Sequence, residues 1–289
     1  MRATFAGEII SKMRLSMPKG LFPVMKRSGV TTNQVCRWIA LQLRNDLDFE
    51  HHSVEITSFG TLPLYSSGVL SIGLGRYGAQ LKYLCFCEIQ QEIDIRLGLS
   101  SNNSFIQSGE VARKAYDHIT LETLQSTLKP FICRQIQTEV DSMNDRNPLL
   151  PAELILVDES VEEKYDTDWA KVPGKPMVPR RELFRETEIT ALEVKNFNPP
   201  DFTLKVSSIG PISIPRFIFD LCNALNTVGT ITRHVKTKEG PFMLKDCLSQ
   251  VDFHYKYLDE HLRRYTPIFK EHMLPHQDKI QVIHERRLW

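Results

Sequence analysis

The chain has 289 residues, above the usual span of one domain, and its 42% hydrophobic and 25% charged residues match an average soluble protein, which excludes disorder of the whole chain. Its 36 Lys and Arg against 35 Asp and Glu leave a formal net charge of +1, and no apolar run approaches the ~18 residues needed to cross a bilayer. The start lacks a secretory signal, so the expectation is a soluble cytoplasmic protein with no membrane partner, whose six scattered cysteines are reduced thiols filling cores.

Charge is spread unevenly. Residues 1–44 carry eight cations, among them Arg2, Lys12, Arg14, Lys19, Lys26 and Arg27, against Glu8 alone. Residues 1–30 therefore read as a basic arm, and those six cations as contacts to an acidic partner surface. A loop marked by Pro18, Gly20, Pro23 and Gly29 leads to a Thr31 or Thr32 cap. Behind it Val35, Ile39 and Leu43 share one face of a short amphipathic helix. Val54–Leu64 reads as two paired strand segments bent at Phe59-Gly60, and Leu81–Ile95 as a further β-rich run.

From Ile119 to Val140 apolar residues recur at three and four positions, which predicts a long helix kinked at Pro130. An acidic, proline-rich linker over 151–181 separates two modules, 31–150 and 182–289. In the second, Phe202–Phe219 is predicted to be strand-rich. The C-terminal part is predicted to be helical, with Cys247, Val251, Tyr255, Leu258 and Leu262 on one stripe and breaks at Pro267 and Pro275.

The two strand regions match each other. Val54–Leu64 and Leu204–Ile214 share aliphatic, serine, glycine and aliphatic positions without a gap, with Phe59-Gly60 opposite Ile209-Gly210. The order of helix Val35–Leu47 and then Val54–Leu64 resembles the HU and integration-host-factor family, whose second helix leads into a strand carrying Gly-Phe-Gly-Thr-Phe. Here that motif stands as Ser58-Phe59-Gly60-Thr61-Leu62, lacking the first glycine and the last aromatic. Tandem units of this kind without a DNA arm are similar to those of the eukaryotic coiled-coil-domain proteins of centrosomes and cilia. The resemblance implies an α+β fold of two small HU-like modules used for protein docking.

Candidate chemistry is sparse. Gly73-Leu74-Gly75-Arg76-Tyr77-Gly78 fits the spacing of a dinucleotide-binding loop, with Gly73, Gly75 and Gly78 as its glycines. The β-like run after it lacks the helix such a loop needs, so an inter-strand loop is the expectation. Cys85 and Cys87, the paired His51-His52 and the histidines of the tail form no metal-binding spacing. The stretch equivalent to an HU arm, Tyr65–Lys82, holds just Arg76 and Lys82 as cations, which argues against nucleic acid.

The expectation is thus a non-catalytic scaffold without cofactor or metal. It would dock into a large assembly, cytoskeletal or ciliary, with microtubules as a partner. A virus-particle subunit, an HU-type nucleic-acid binder and a nucleotide-dependent enzyme using Gly73–Gly78 are the alternatives.

Overall fold

The computed structural model of the chain describes residues 18–47, 54–60, 62–132, 134–139 and 183–276. In chain order these form β1 (Gly20–Lys26), α1 (Thr32–Leu47), β2 (Ile56–Ser58), β3 (Ser66–Leu74), a 3-10 segment (Gly75–Phe86), β4 (Glu88–Leu97) and the small strands β5 (Leu99–Ser101) and β6 (Glu110–Arg113). There follow α2 (Leu121–Leu128), β7 (Arg134–Glu139), β8 (Leu183–Asn198), β9 (Asp201–Ile209), α3 (Ile214–Ala224), β10 (Gly229–Glu239), β11 (Phe242–Met243) and α4 (Tyr255–Met273).

One mixed sheet joins nine of these strands in the order β1-β3-β10-β4-β9-β8-β7, with β2 against the end of β3 and β11 folded back on β10. All pairs are antiparallel except β3 with β10. That parallel pair spans just Ser66–Gly68 against His234–Lys236, after which the two strands part. Gly68 permits the close approach: its φ is +124°, and a Cβ there would stand 2.2 Å from the Lys236 carbonyl oxygen.

Alternation along β4 shows how the sheet is used. Ile89, Gln91, Ile93, Ile95 and Leu97 are buried, while Glu88, Glu92, Asp94 and Arg96 point to the more open side. The buried side carries two separate apolar cores. The first gathers β1, β3, α1, α4 and the start of β4, with Phe22, Ile39, Leu70, Leu258 and Phe269 among its members. The second gathers the far end of β4 with β9, α2 and α3, including Ile93, Leu124, Leu204, Phe217 and Ile231.

Helix α1 buries Val35, Cys36, Ile39, Ala40, Leu43 and Leu47 on one stripe. Thr31 caps it: Thr31 Oγ1 accepts from the Gln34 N–H at 3.1 Å, and Gln34 Oε1 accepts from the Thr31 N–H at 2.8 Å. Replacing Thr31 by Ala is expected to cost about 1 kcal/mol, read as a lower urea midpoint at unchanged slope.

The two-module fold class fails because β3 and β4 from the first half lie directly against β10 and β9 from the second, in one sheet. The run expected to be a loop at Pro18–Gly29 contains β1, whose inner edge pairs with β3 and whose outer edge is closed by Leu248 and Thr266. Residues 62–64 form no strand, so the strand-glycine-strand unit is β2 followed by a loop. Its supposed repeat is β9 followed by helix α3.

The long helix expected over Ile119–Val140 stops at Leu128. A 3-10 turn holds Pro130, and β7 follows. Leu81–Phe86 is 3-10 rather than strand. Helix α4 continues through Pro267 instead of breaking there, and Val251, expected on its stripe, is 71% exposed and precedes it. The 151–181 linker, Cys133 and His51-His52 lie outside the described residues.

Candidate functional site

A polar seam divides the two cores. On β4, Gln91 lies between Ile89 of the first core and Ile93 of the second, on the same face and 5% exposed. Opposite it on β10 stands Lys236, with His234 two residues earlier opposite Ile93, and both are buried. His234 bridges the strands: its Nε2 lies 2.7 Å from Gln91 Oε1 and its Nδ1 2.7 Å from the hydroxyl of Ser66 on β3. With Gln91 accepting from Nε2–H, Nδ1 is left to accept from Ser66, so a neutral imidazole satisfies both partners. Burial, with the charges of Lys236 and Lys26 behind it, lowers the His234 pKa to about 3.

Further along, Lys236 pairs with Glu239, whose other oxygen accepts from the Ser71 N–H at 2.8 Å. Among the described residues Glu239 is the buried carboxylate. A buried ion pair of this kind is held by its extra hydrogen bond as much as by Coulomb attraction.

Over the seam runs the loop Leu62-Pro63-Leu64-Tyr65. Leu62 belongs to the first core. Tyr65 packs on the second, its ring centroid 6.0 Å from that of Phe105, so the loop ties one core to the other. The turn after β1 grips it from beneath. Lys26 Nζ donates to the carbonyls of Ser66 at 2.7 Å and Pro63 at 2.9 Å, with longer contacts to those of Leu64 and Arg27. Ser28 Oγ donates to the Tyr65 carbonyl at 2.9 Å, and the Gly29 N–H to that of Leu64 at 2.8 Å. Burial, then the charge of Lys236, lowers the Lys26 pKa to about 8. Leu64 is 40% exposed, so the roof of the seam faces outward.

Of the six cations expected on a basic arm, Arg2, Lys12 and Arg14 lie outside the described residues, and Lys19 and Arg27 are exposed. Lys26 is fully buried and holds the seam loop instead of meeting a partner. Phe59 is core, and the two glycines of the internal match do share a local structure. Gly60 has φ +62° and Gly210 φ +80°, and in each case the serine two residues earlier donates to the glycine carbonyl. The match is a recurring Ser-x-Gly strand exit. Ile209, the partner of Phe59 in that match, is the last residue of β9.

Gly73 sits within β3, Gly75 opens the 3-10 segment and Gly78 lies inside it. A Cβ on Gly73 would meet Gly78 at 2.7 Å and one on Gly78 would meet Thr57 at 2.4 Å, so these glycines let the segment lie flat on β2 and β3. Among the described residues no group of His, Cys, Asp or Glu could hold a metal ion.

Gln91, His234, Lys236, Glu239 and Ser66 went unnoticed in the sequence. The legible sign was polar residues at buried-parity positions of two apolar strands, which marks a seam once the strands are paired.

No protein-family model matches the chain. It is 22% identical over 270 residues to the pseudouridylate synthase TRUB1 of Mus musculus, covering 90% of this chain and 75% of that one. It is 26% identical over 192 residues to the tRNA pseudouridine synthase B of Gloeobacter violaceus, covering 65% of this chain and 60% of the other. Its structure superposes on the archaeal box H/ACA sRNP Nop10-Cbf5 complex with a TM-score of 0.53 at 15% identity, over 86% of this chain and 58% of that one. This chain therefore spans less than two thirds of the bacterial relative and of the solved neighbour.

These findings overturn the HU-like reading, because a single large mixed sheet shared with the Cbf5-type fold replaces two small helix-and-sheet modules. They overturn the scaffold of cytoskeleton or cilium and the absence of catalysis, because the similar proteins are enzymes by name. They also set aside microtubules and the exclusion of nucleic acid, because the superposed structure is titled an sRNP complex and the argument from a cation-poor arm presumed an HU-like fold. The virus-particle, HU-type and nucleotide-dependent alternatives fit no better. The fold is the mixed α/β architecture of the Cbf5/TruB pseudouridylate synthases.

Proposed function

We propose that this chain is an RNA-modifying enzyme of the pseudouridine synthase kind, acting on uridine within a folded RNA. The observation that carries the reading is the polar seam at the parting of β3 and β10, roofed by an outward-facing loop, in a chain whose distant relatives carry that activity in their names. The seam's own polar groups are buried and bonded to one another, so a flat base would sit on the outward-facing loop beside them, between the apolar walls of the two cores.

The reaction breaks the N1–C1′ bond of uridine and joins C5 to C1′. N1 gains a proton and C5 gives one up. Bond breaking at C1′ is served best by a carboxylate that stabilises or captures the electron-poor ribose carbon. The roof loop presents Leu62, Pro63, Leu64 and Tyr65, and Glu239 has both oxygens engaged by Lys236 and Ser71. Base recognition is read from this loop and its apolar neighbours, and the chemical step rests on the similarity to named enzymes.

Both halves are measured together by mixing the purified chain with a transcript tritiated at uridine C5. Release of tritium to water, with retention of the RNA on a filter, is the expected result. Retention without release removes the isomerisation and leaves RNA recognition. Neither retention nor release removes the reading altogether.

A further inference from the structure

Cations on this molecule fall into two kinds. On the open side of the sheet Arg96 meets Asp201, Lys195 meets Glu92, Arg233 meets Glu92 and Asp94, and Lys238 meets Glu88. That face is a lattice of neutralised charge.

The flank formed by the 3-10 segment and the end of α4 is different. Lys270 on α4 lies 5.0 Å from the centroid of the Tyr77 ring and donates to its hydroxyl at 3.2 Å, while Arg76 stands 5.6 Å from the same centroid. Lys82 stands 5.9 Å from the centroid of the Tyr83 ring. Tyr83, Lys270, Gln80, Phe269, Met273 and Leu274 line one groove of about 310 Å³, and Lys270, which also sits over the Tyr77 ring, joins that ring to the groove. Lys19 borders it at Gly75, and the acids of this flank are Glu55, also beside Gly75, and the exposed Glu271. Among the described residues Arg76, Lys82 and Lys270 make no ion pair, and the partners they do have are aromatic rings.

We propose that this flank binds a single-stranded segment of RNA, with bases laid on the tyrosines and along the groove and phosphates on Arg76, Lys82 and Lys270. The proposal rests on the RNA reading above and adds a second surface to it. Cations left without carboxylates are the ones available to displace counterions from phosphates, and tyrosine faces accept any base without reading its sequence. The charge selects an anion, the rings select planar groups, and a groove of about 310 Å³ admits single bases rather than the width of a duplex.

The test uses the full chain and two labelled RNAs, a blunt hairpin and the same hairpin with an oligouridylate tail, titrated over a range of salt. The tail is expected to tighten binding. The double substitution Arg76→Gln with Lys270→Gln should remove most of that gain and make the log-log salt slope shallower by about 1.4, at ~0.7 per lost contact to single-stranded phosphate. Tyr77→Leu should weaken tailed binding with the slope unchanged.

Arg76 and Lys270 are exposed, so the double variant should melt with the wild type, while Tyr77 packs partly against the first core, so its variant is compared at a temperature well below its own melting point. A tail that adds nothing, or a double variant that binds the tailed RNA like the wild type, overturns the proposal while leaving hairpin recognition intact. Displacement of the tail by polyglutamate, with the same dependence on Arg76 and Lys270, overturns it in favour of an acidic protein partner. Failure of the wild type to bind either RNA overturns the proposed function as well.

Discussion

Replacing Lys26 by Met is expected to destabilise the protein by about 3 kcal/mol and to loosen the loop that joins the two cores. Methionine keeps the length and apolar stem of lysine and removes just the ammonium. Of the carbonyls it serves, that of Leu64 also accepts from the Gly29 N–H and that of Pro63 from the Ser66 N–H, so each keeps one donor. The Ser66 carbonyl, 2.7 Å from Nζ, receives the shortest of the lysine's bonds and loses the most. Hydrogen bonds from a charged donor contribute about 1.5–3 kcal/mol each, and relief from burying a cation beside Lys236 offsets part of the loss.

The pH dependence separates these opposing effects. Burial and Lys236 lower the Lys26 pKa from its ordinary 10.5 to about 8. Between those values the unfolded chain holds more protons than the folded one, so wild-type stability gains as pH rises from about 8 to 10.5, and below 8 the whole cost of keeping the charge is present. The Met variant lacks this gain. Urea unfolding across that range should therefore show the gap between wild type and variant widening with pH. Equal stability at neutral pH would mean that the desolvation cost cancels the bonds.

Lys26 also shows where the sequence was legible and where it was not. Local signals held: Thr31 marked the start of α1, and its apolar stripe placed Val35, Ile39 and Leu43 on the buried face. Each depends on residues within a few positions of one another. What failed depends on distant pairing. Lys26 counts as a surface cation until β1 is placed beside β3, when its side chain turns onto carbonyls almost forty positions away, such as that of Pro63.

The helical spacing from Ile119 to Val140 was real but was overridden at Pro130, where the chain leaves α2 and then joins the sheet as β7. The seam was least visible of all. Ser66, Gln91 and His234 come from three strands, and each alone is an ordinary polar residue in an apolar run. Only the order β3-β10-β4 places His234 between the other two.

Replacing His234 by Gln is expected to remove a large part of the acid sensitivity of folding. The imidazole titrates near 6.5 in the unfolded chain and near 3 in the folded one, with burial as the main cause and the charges of Lys236 and Lys26 adding to it. As pH falls through this window the unfolded state takes up a proton that the folded state refuses. Stability present above pH 6.5 is thus lost progressively down to about 3, at ~1.4 kcal/mol per unit and on the order of 5 kcal/mol in all.

Glutamine retains an N–H toward Gln91 and an oxygen toward Ser66 but takes no proton, so its stability curve should be flatter by that amount. At neutral pH it should stand about 1 kcal/mol below the wild type for the poorer geometry of its bonds. Carboxylates lose stability over the same range, among them Glu88 beside Lys238 and Glu92 beside Lys195, whose pKa values are lowered by those partners. They titrate alike in both proteins, so the difference between the two curves isolates His234. Parallel curves in urea from pH 7 to 3 would show that the seam admits water in the folded state and that His234 titrates there as it does in the open chain.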